Sequence, residues 1–221
     1  MSEIINTYKL DNPLVVVPME REEFYKEQEK IFKKDGKSTR AVEIVDILIF
    51  NSHGELTVQK RSFNKNHNAG LLDKSIGGHV QSGDTPDYTV MVETIQELQT
   101  PSIVLKNQTD FEKTYKLLER YLETIALIRH LNTSVINPIK ILSNEKIRIA
   151  NKAHVYIGVY DGRIRPVDRE AKGILFYSIS ELKKEMEETP EIFTDDLHCI
   201  MREYEKEIKE FVEYTTKSDI K

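Results

Sequence analysis

The stretch that most constrains the fold is AVEIVDILIFNSHGELTVQKR, residues 41–61. Apolar and β-branched residues fill positions 41–50, Asn51-Ser-His-Gly54 supplies a glycine-bearing turn, and residues 55–61 return as a second run, so the stretch reads as a β-hairpin. Glu43 and Asp46 interrupt the first run, either as a polar pocket wall or as outward-facing positions. Residues 71–76 extend the sheet until Gly77 and Gly78 are expected to break it.

Beyond the glycines, Thr85-Pro86 starts a helix, with threonine as cap and proline in the first turn. Tyr88, Met91, Val92, Ile95 and Leu98 recur at three- and four-residue steps and predict the buried stripe. Glu93 and Glu97 then project from the opposite side. Carboxylates four residues apart on a helix lie about 5–6 Å apart at their Cβ atoms and repel unless something neutralises them. A hard divalent cation such as Mg²⁺ or Mn²⁺ would do so, with a carbonyl of the glycine turn as a further donor. The plainer reading of two such glutamates is a solvated helix face.

Elsewhere, residues 14–17 suggest a short strand and residues 19–34 a charged helix. Residues 110–131 read as an amphipathic helix, an insertion that either covers a cleft or builds a dimer surface. Strands are expected over 136–142, 153–159 and 174–177. Ser178 and Glu181 form a capping box, and one closing helix is expected over about 195–214. Neither repeat nor low-complexity linker divides the chain, so its 221 residues are expected to form a single domain.

A formal net charge of −5 gives no field for gathering nucleic acid or anionic lipid. The single cysteine, Cys199, rules out an internal disulfide framework. The apolar runs are too short to cross a bilayer, and the first residues carry no targeting pattern. A cytoplasmic location is therefore expected.

The segment from Gly78 to Thr100 resembles the Nudix box. That pattern runs glycine, five residues, glutamate, seven residues, arginine-glutamate, an aliphatic, any residue, two glutamates, any residue, glycine and an aliphatic. Asp84 falls on the first acidic position, Val92-Glu93 on the arginine-glutamate pair, Gln96-Glu97 on the double glutamate and Gln99 on the last glycine. The likeness extends over about residues 40–205, toward the subgroup that contains isopentenyl-diphosphate isomerase. It implies an α/β (α+β) fold, a Nudix-like α/β/α sandwich with a mixed sheet plus a helical insertion at about 108–132.

The resemblance also implies a hydrolase that cleaves a diphosphate linkage in a nucleoside diphosphate derivative or similar small molecule. Glu93 and Glu97 would be catalytic. Mg²⁺ or Mn²⁺ would be held by Gly78, Asp84, Glu93, Gln96 and Glu97, while Lys60, Arg61 and His79 would contact substrate and Glu170 would be a later acid. Val92 and Gln96 depart from the pattern and favour a catalytically weak or inactive nucleotide-binding or interaction protein instead. Isomerase chemistry is disfavoured, because Gly77 stands where those enzymes place a catalytic cysteine and the ligand histidine before the hairpin is missing. A homodimer is left open.

Overall fold

The computed structural model describes residues 3–142, 145–164 and 171–216. The chain begins with an antiparallel hairpin of β1 (Ile4–Lys9) and β2 (Asn12–Glu20), followed by helix α1 (Arg21–Asp35). Strands β3 (Arg40–Phe50), β4 (Leu56–Arg61), β5 (Leu72–Asp73) and β6 (Ile76–His79) precede helix α2 (Pro86–Leu98) and strand β7 (Ser102–Leu105). Helix α3 (Gln108–Leu118) leads to β8 (Ala126–Ile136), β9 (Ile139–Leu142), β10 (Glu145–Arg148) and β11 (Ala150–Val159). Strand β12 (Ala171–Tyr177) then enters helices α4 (Ile179–Glu188), α5 (Asp195–Glu203) and α6 (Glu205–Thr216).

Among the described residues one mixed sheet runs in the order β12-β4-β3-β11-β8-β7, with β1, β5 and β6 attached at its sides. Strands β3 and β11 are parallel along their whole length, and β11 pairs antiparallel with β8. Alternation along β3 sorts the core into two layers. Val42, Ile44, Leu48 and Phe50 join the cluster that contains Phe24 of α1, Phe111 of α3, Leu182 of α4, Leu197 of α5 and Phe211 of α6. Val45, Ile47 and Ile49 face the other way, onto Val90 and Leu98 of α2. The result is an α/β/α sandwich in which, among the described residues, α2 is the helix on one face and the others lie on the opposite one. No helix among the described residues is long and apolar enough to cross a membrane.

Four elements differ from the sequence reading. The helix expected over 110–131 is the shorter α3, and residues 126–136 form the inner strand β8. Ala126, Leu127 and Ile128 are fully buried between the layers, so tertiary pairing overrides a helical spacing. α3 is no cleft cover: its Phe111 ring packs 5.0 Å from Phe211, and the Tyr115 hydroxyl donates to the Thr215 carbonyl. The closing helix is interrupted at Tyr204, which caps α5 before α6 begins. Gly77 and Gly78 do not end the sheet but pair within β6 against Asp46 and Val45.

The local start signals behave as their chemistry requires. Thr85 accepts the Tyr88 N–H with Pro86 in the first turn of α2, and the Ser178–Glu181 capping box is complete at α4. At the other end of α2, Gln99 adopts a left-handed φ of 54°. It thus ends the helix in the conformation that glycine would take without strain.

Candidate active site

Strands β3 and β4 pair at Phe50 and Leu56 and then part. β6 takes over the freed edge of β3, pairing at residues 44–47, while β5 takes that of β4 at Gln59 and Lys60. The gap left between the two halves is a polar cavity of about 330 Å³, reached by side chains from both faces of the sheet.

One wall is α2, which brings Glu93, Gln96 and Glu97 to the cavity. A Cβ on Gly78 would lie 1.9 Å from Glu93 Oε1, so the carboxyl group rests against bare strand backbone that only glycine leaves open. Glu97 is buried, and its Oε2 accepts a 2.7 Å hydrogen bond from Gln59 Nε2 of β4. Of the predicted stripe only Leu98 is buried; the rest of the expected amphipathicity is not kept. Tyr88, Met91 and Ile95 are exposed, whereas Val90, Thr94, Glu97 and Leu98 are buried. Thr94 tolerates burial because its hydroxyl bonds the Val90 and Met91 carbonyls and lies 2.8 Å from Ser102 Oγ.

Asp46, Lys74, Asp73 and Arg61 continue the lining. Lys74 Nζ lies 2.8 Å from Asp46 Oδ1 and 3.6 Å from Asp73 Oδ1, and Arg61 Nη1 donates to Asp73 Oδ2 at 3.0 Å. Burial pushes the Asp46 carboxyl above its ordinary pKa despite the Lys74 charge, and beyond Lys74 neither carboxylate oxygen has a hydrogen-bond partner among the described residues. Asp73 is held down at about 2: although burial opposes ionisation, Lys74 and Arg61 outweigh it, helped by a hydrogen bond from Thr194.

The opposite face contributes His79, Tyr25, His67 and Lys140. His79 shares the face of its partner Ile44, while Gly78, its chain neighbour, shares that of Val45 and Glu93. The Tyr25 hydroxyl is 2.8 Å from His79 Nε2, and its ring lies 4.4 Å from the His67 ring between centroids. Asn68 fixes this corner by bonding Ile141 through both its backbone N–H and its side-chain oxygen.

Of the residues singled out from sequence, Gly78, His79, Glu93, Gln96, Glu97 and Arg61 line the cavity. Arg61 is engaged by Asp73. Lys60 instead turns outward, its ammonium 6.0 Å from the Phe63 ring, and Asp84 sits in the turn before α2, outside the lining. Alternation explains Lys60, because Gln59 beside it takes the inward position. Glu170 lies outside the described residues. Sequence reasoning missed Gln59, Lys74, Tyr25, His67 and Lys140, and left Asp46 undecided; a charge inside an apolar run was its one visible signal.

The donor set suits a hard cation that keeps several of its waters. Mg²⁺ is commonly held by one or two carboxylates together with substrate phosphates, and Glu93 and Glu97 stand on one wall beside strand backbone that a Cβ would block. A closed protein cage is not formed: among the described residues no group of three or more histidine, cysteine, aspartate or glutamate side chains is placed to hold a metal.

The NUDIX domain family model matches residues 41–197. The chain belongs to the NUDIX family. A curated relative, the isopentenyl-diphosphate Delta-isomerase of Serratia proteamaculans (strain 568), is 27% identical over 157 residues, spanning 71% of this chain and 73% of that protein. Among solved structures, DR0079 from Deinococcus radiodurans superposes with a TM-score of 0.58 at 18% identity, covering 91% of this chain and 98% of its own. A NUDIX-family hydrolase from Clostridium perfringens gives 0.45 at 15% identity, over 73% and 93% of the two chains. At 18% identity the DR0079 likeness speaks to the fold alone. The NUDIX match begins at residue 41, so Arg21 and Tyr25 reach the cavity from outside it.

Proposed function

We propose that this NUDIX protein hydrolyses the diphosphate linkage of a nucleoside diphosphate derivative or a similar organic diphosphate, with Mg²⁺ or Mn²⁺ held by Glu93 and Glu97. The observation that carries this reading is the placement of both α2 glutamates at one cavity, with Gly78 shaped to receive the Glu93 carboxyl. The cation, when bound, neutralises phosphate oxygens and lowers the pKa of a coordinated water. Glu93, lying against the β6 backbone, would hold the cation and orient the attacking water. Glu97, whose Oε2 accepts a hydrogen bond from Gln59, is the base that takes the proton of attacking water. Gln96, at the mouth, is a neutral donor to substrate oxygens.

Hydrolysis of a diphosphate panel with Mg²⁺ or Mn²⁺ tests this. Glu97→Gln is expected to lower kcat by about 10²–10⁴-fold; an unchanged rate removes Glu97 from the mechanism. A second reading, a nucleotide-binding protein without turnover, is favoured by the incomplete metal cage. It gains if nucleotide binds but no phosphate is released. Isomerisation is opposed by packing: a side chain at Gly77 would meet Lys74 Cε at 2.6 Å, so a cysteine there requires the buried lysine to move.

A further inference from the structure

The NUDIX-type chemistry proposed above uses the α2 face of the split sheet and leaves the polar cluster on the α1 face without a task. That cluster has the features of a second binding site. His67 Nε2 is buried and has no hydrogen-bond partner among the described residues. An orphaned ring nitrogen costs free energy unless a ligand or water satisfies it. Tyr25 connects the group, its ring tilted 42° against that of His67, its hydroxyl at His79 and the Lys140 ammonium 5.8 Å from its ring centroid. The surroundings are electropositive. Burial and then the Lys140, Arg61 and Arg21 charges depress His67 to about 3. A buried imidazole, kept neutral beside cations, can donate a hydrogen bond without adding charge, an arrangement that receives an anion.

We propose that Tyr25, His67 and Lys140 form a metal-independent subsite for a second anionic group, a phosphate monoester, carried by the substrate beyond its scissile diphosphate. The diphosphate itself does not fill both places. Glu93 rests on the Gly78 side of β6 and His79 points from the other side, so the strand backbone and a side chain on each face separate the two groups. A substrate threaded through the gap between β3 and β4 presents its diphosphate to α2 and its far end to Tyr25. The N-terminal segment, which precedes the NUDIX match, thereby selects the substrate. The proposal rests on the hydrolase reading only for the molecule that carries the group.

The test is titration of the metal-free full chain, in EDTA, with inorganic phosphate, followed by calorimetry and by the ¹⁵N resonances of the His67 ring. Binding that shifts the His67 signals is expected, weakened about tenfold in Lys140→Ala and in His67→Phe, as loss of one charged or buried donor implies, and unchanged in Glu97→Gln. Absence of binding, or binding indifferent to Lys140→Ala and His67→Phe, overturns the subsite. So does binding that strengthens in Glu97→Gln, which would place the anion against the α2 carboxylates. In the hydrolysis assay, KM for a terminally phosphorylated diphosphate should rise about tenfold in Lys140→Ala while KM for its dephosphorylated counterpart and both kcat values hold. Equal shifts for the two substrates contradict the assignment. A protein that binds phosphate here yet hydrolyses nothing retains the subsite and loses the hydrolase reading.

Discussion

Glu43 and Asp46 are buried acids three residues apart on the same strand, yet they live in opposite chemical worlds. Glu43 faces the α2 side, where Asn6 donates to Oε2, His154 lies 2.9 Å from Oε1, and Lys152 sits 3.3 Å away. Asp46 faces the cavity and relies on Lys74. Their ionisation diverges accordingly. Burial alone would raise both, but hydrogen bonds from His154, Asn6 and Tyr8 bring Glu43 down to about 2, whereas Asp46 stays raised. A buried charge whose lone pairs are all used is architecture; one left short of partners beside a cavity is available to a ligand.

Removing each acid's lysine is the sharpest way to break this comparison. Lys74→Met leaves Asp46 without its counterion, and a loss of about 3–5 kcal/mol in urea unfolding is expected. A loss under 1 kcal/mol would mean that the cavity acids do not depend on Lys74. Glu43→Gln should cost about 2 kcal/mol at pH 7 through its charge-assisted hydrogen bonds, with diphosphate hydrolysis unchanged. Asp46→Asn should cost less stability and slow hydrolysis. Reversed outcomes would exchange the roles of the two acids.

The pH dependence carries a sign that differs between the two. Because Glu43 is depressed, its stabilisation is present above 4.5 and drains as pH falls toward about 2. The stability gap between the native chain and Glu43→Gln should therefore close over that window. Asp46, being raised, contributes in the reverse sense, losing stability as pH rises through its folded pKa. Smallest of all, Lys152→Met should cost under about 1 kcal/mol, since Lys152 is a quarter exposed and Glu43 keeps its other partners.

What the sequence disclosed follows from range. Caps and the first hairpin are local, so Thr85-Pro86, Ser178–Glu181 and residues 41–61 could be read from neighbours alone. The family pattern placed Glu93, Glu97 and Gly78 together because register is preserved along the box. The misreadings are long-range. Apolar spacing on α2 assigned Tyr88, Met91 and Ile95 to the core, yet the sheet presents Gln59 and Ser102 to that helix, so Glu97 and Thr94 are satisfied inside and the apolar side chains are left out. Residues 126–131 carry a helical spacing but are captured between β7 and β11. Tyr25 and Lys140 enter the cavity from elements that no local pattern connects to the box.

Direct Mn²⁺ titration, followed by electron paramagnetic resonance, tests the central claim that the α2 glutamates create a cation site. The native chain should bind Mn²⁺ saturably, more tightly with a non-hydrolysable diphosphate present, and Glu93→Gln and Glu97→Gln should each weaken binding about tenfold or more while Glu43→Gln leaves it unchanged. Equal affinity in all four proteins, or no binding to the native chain even with the diphosphate, would contradict it.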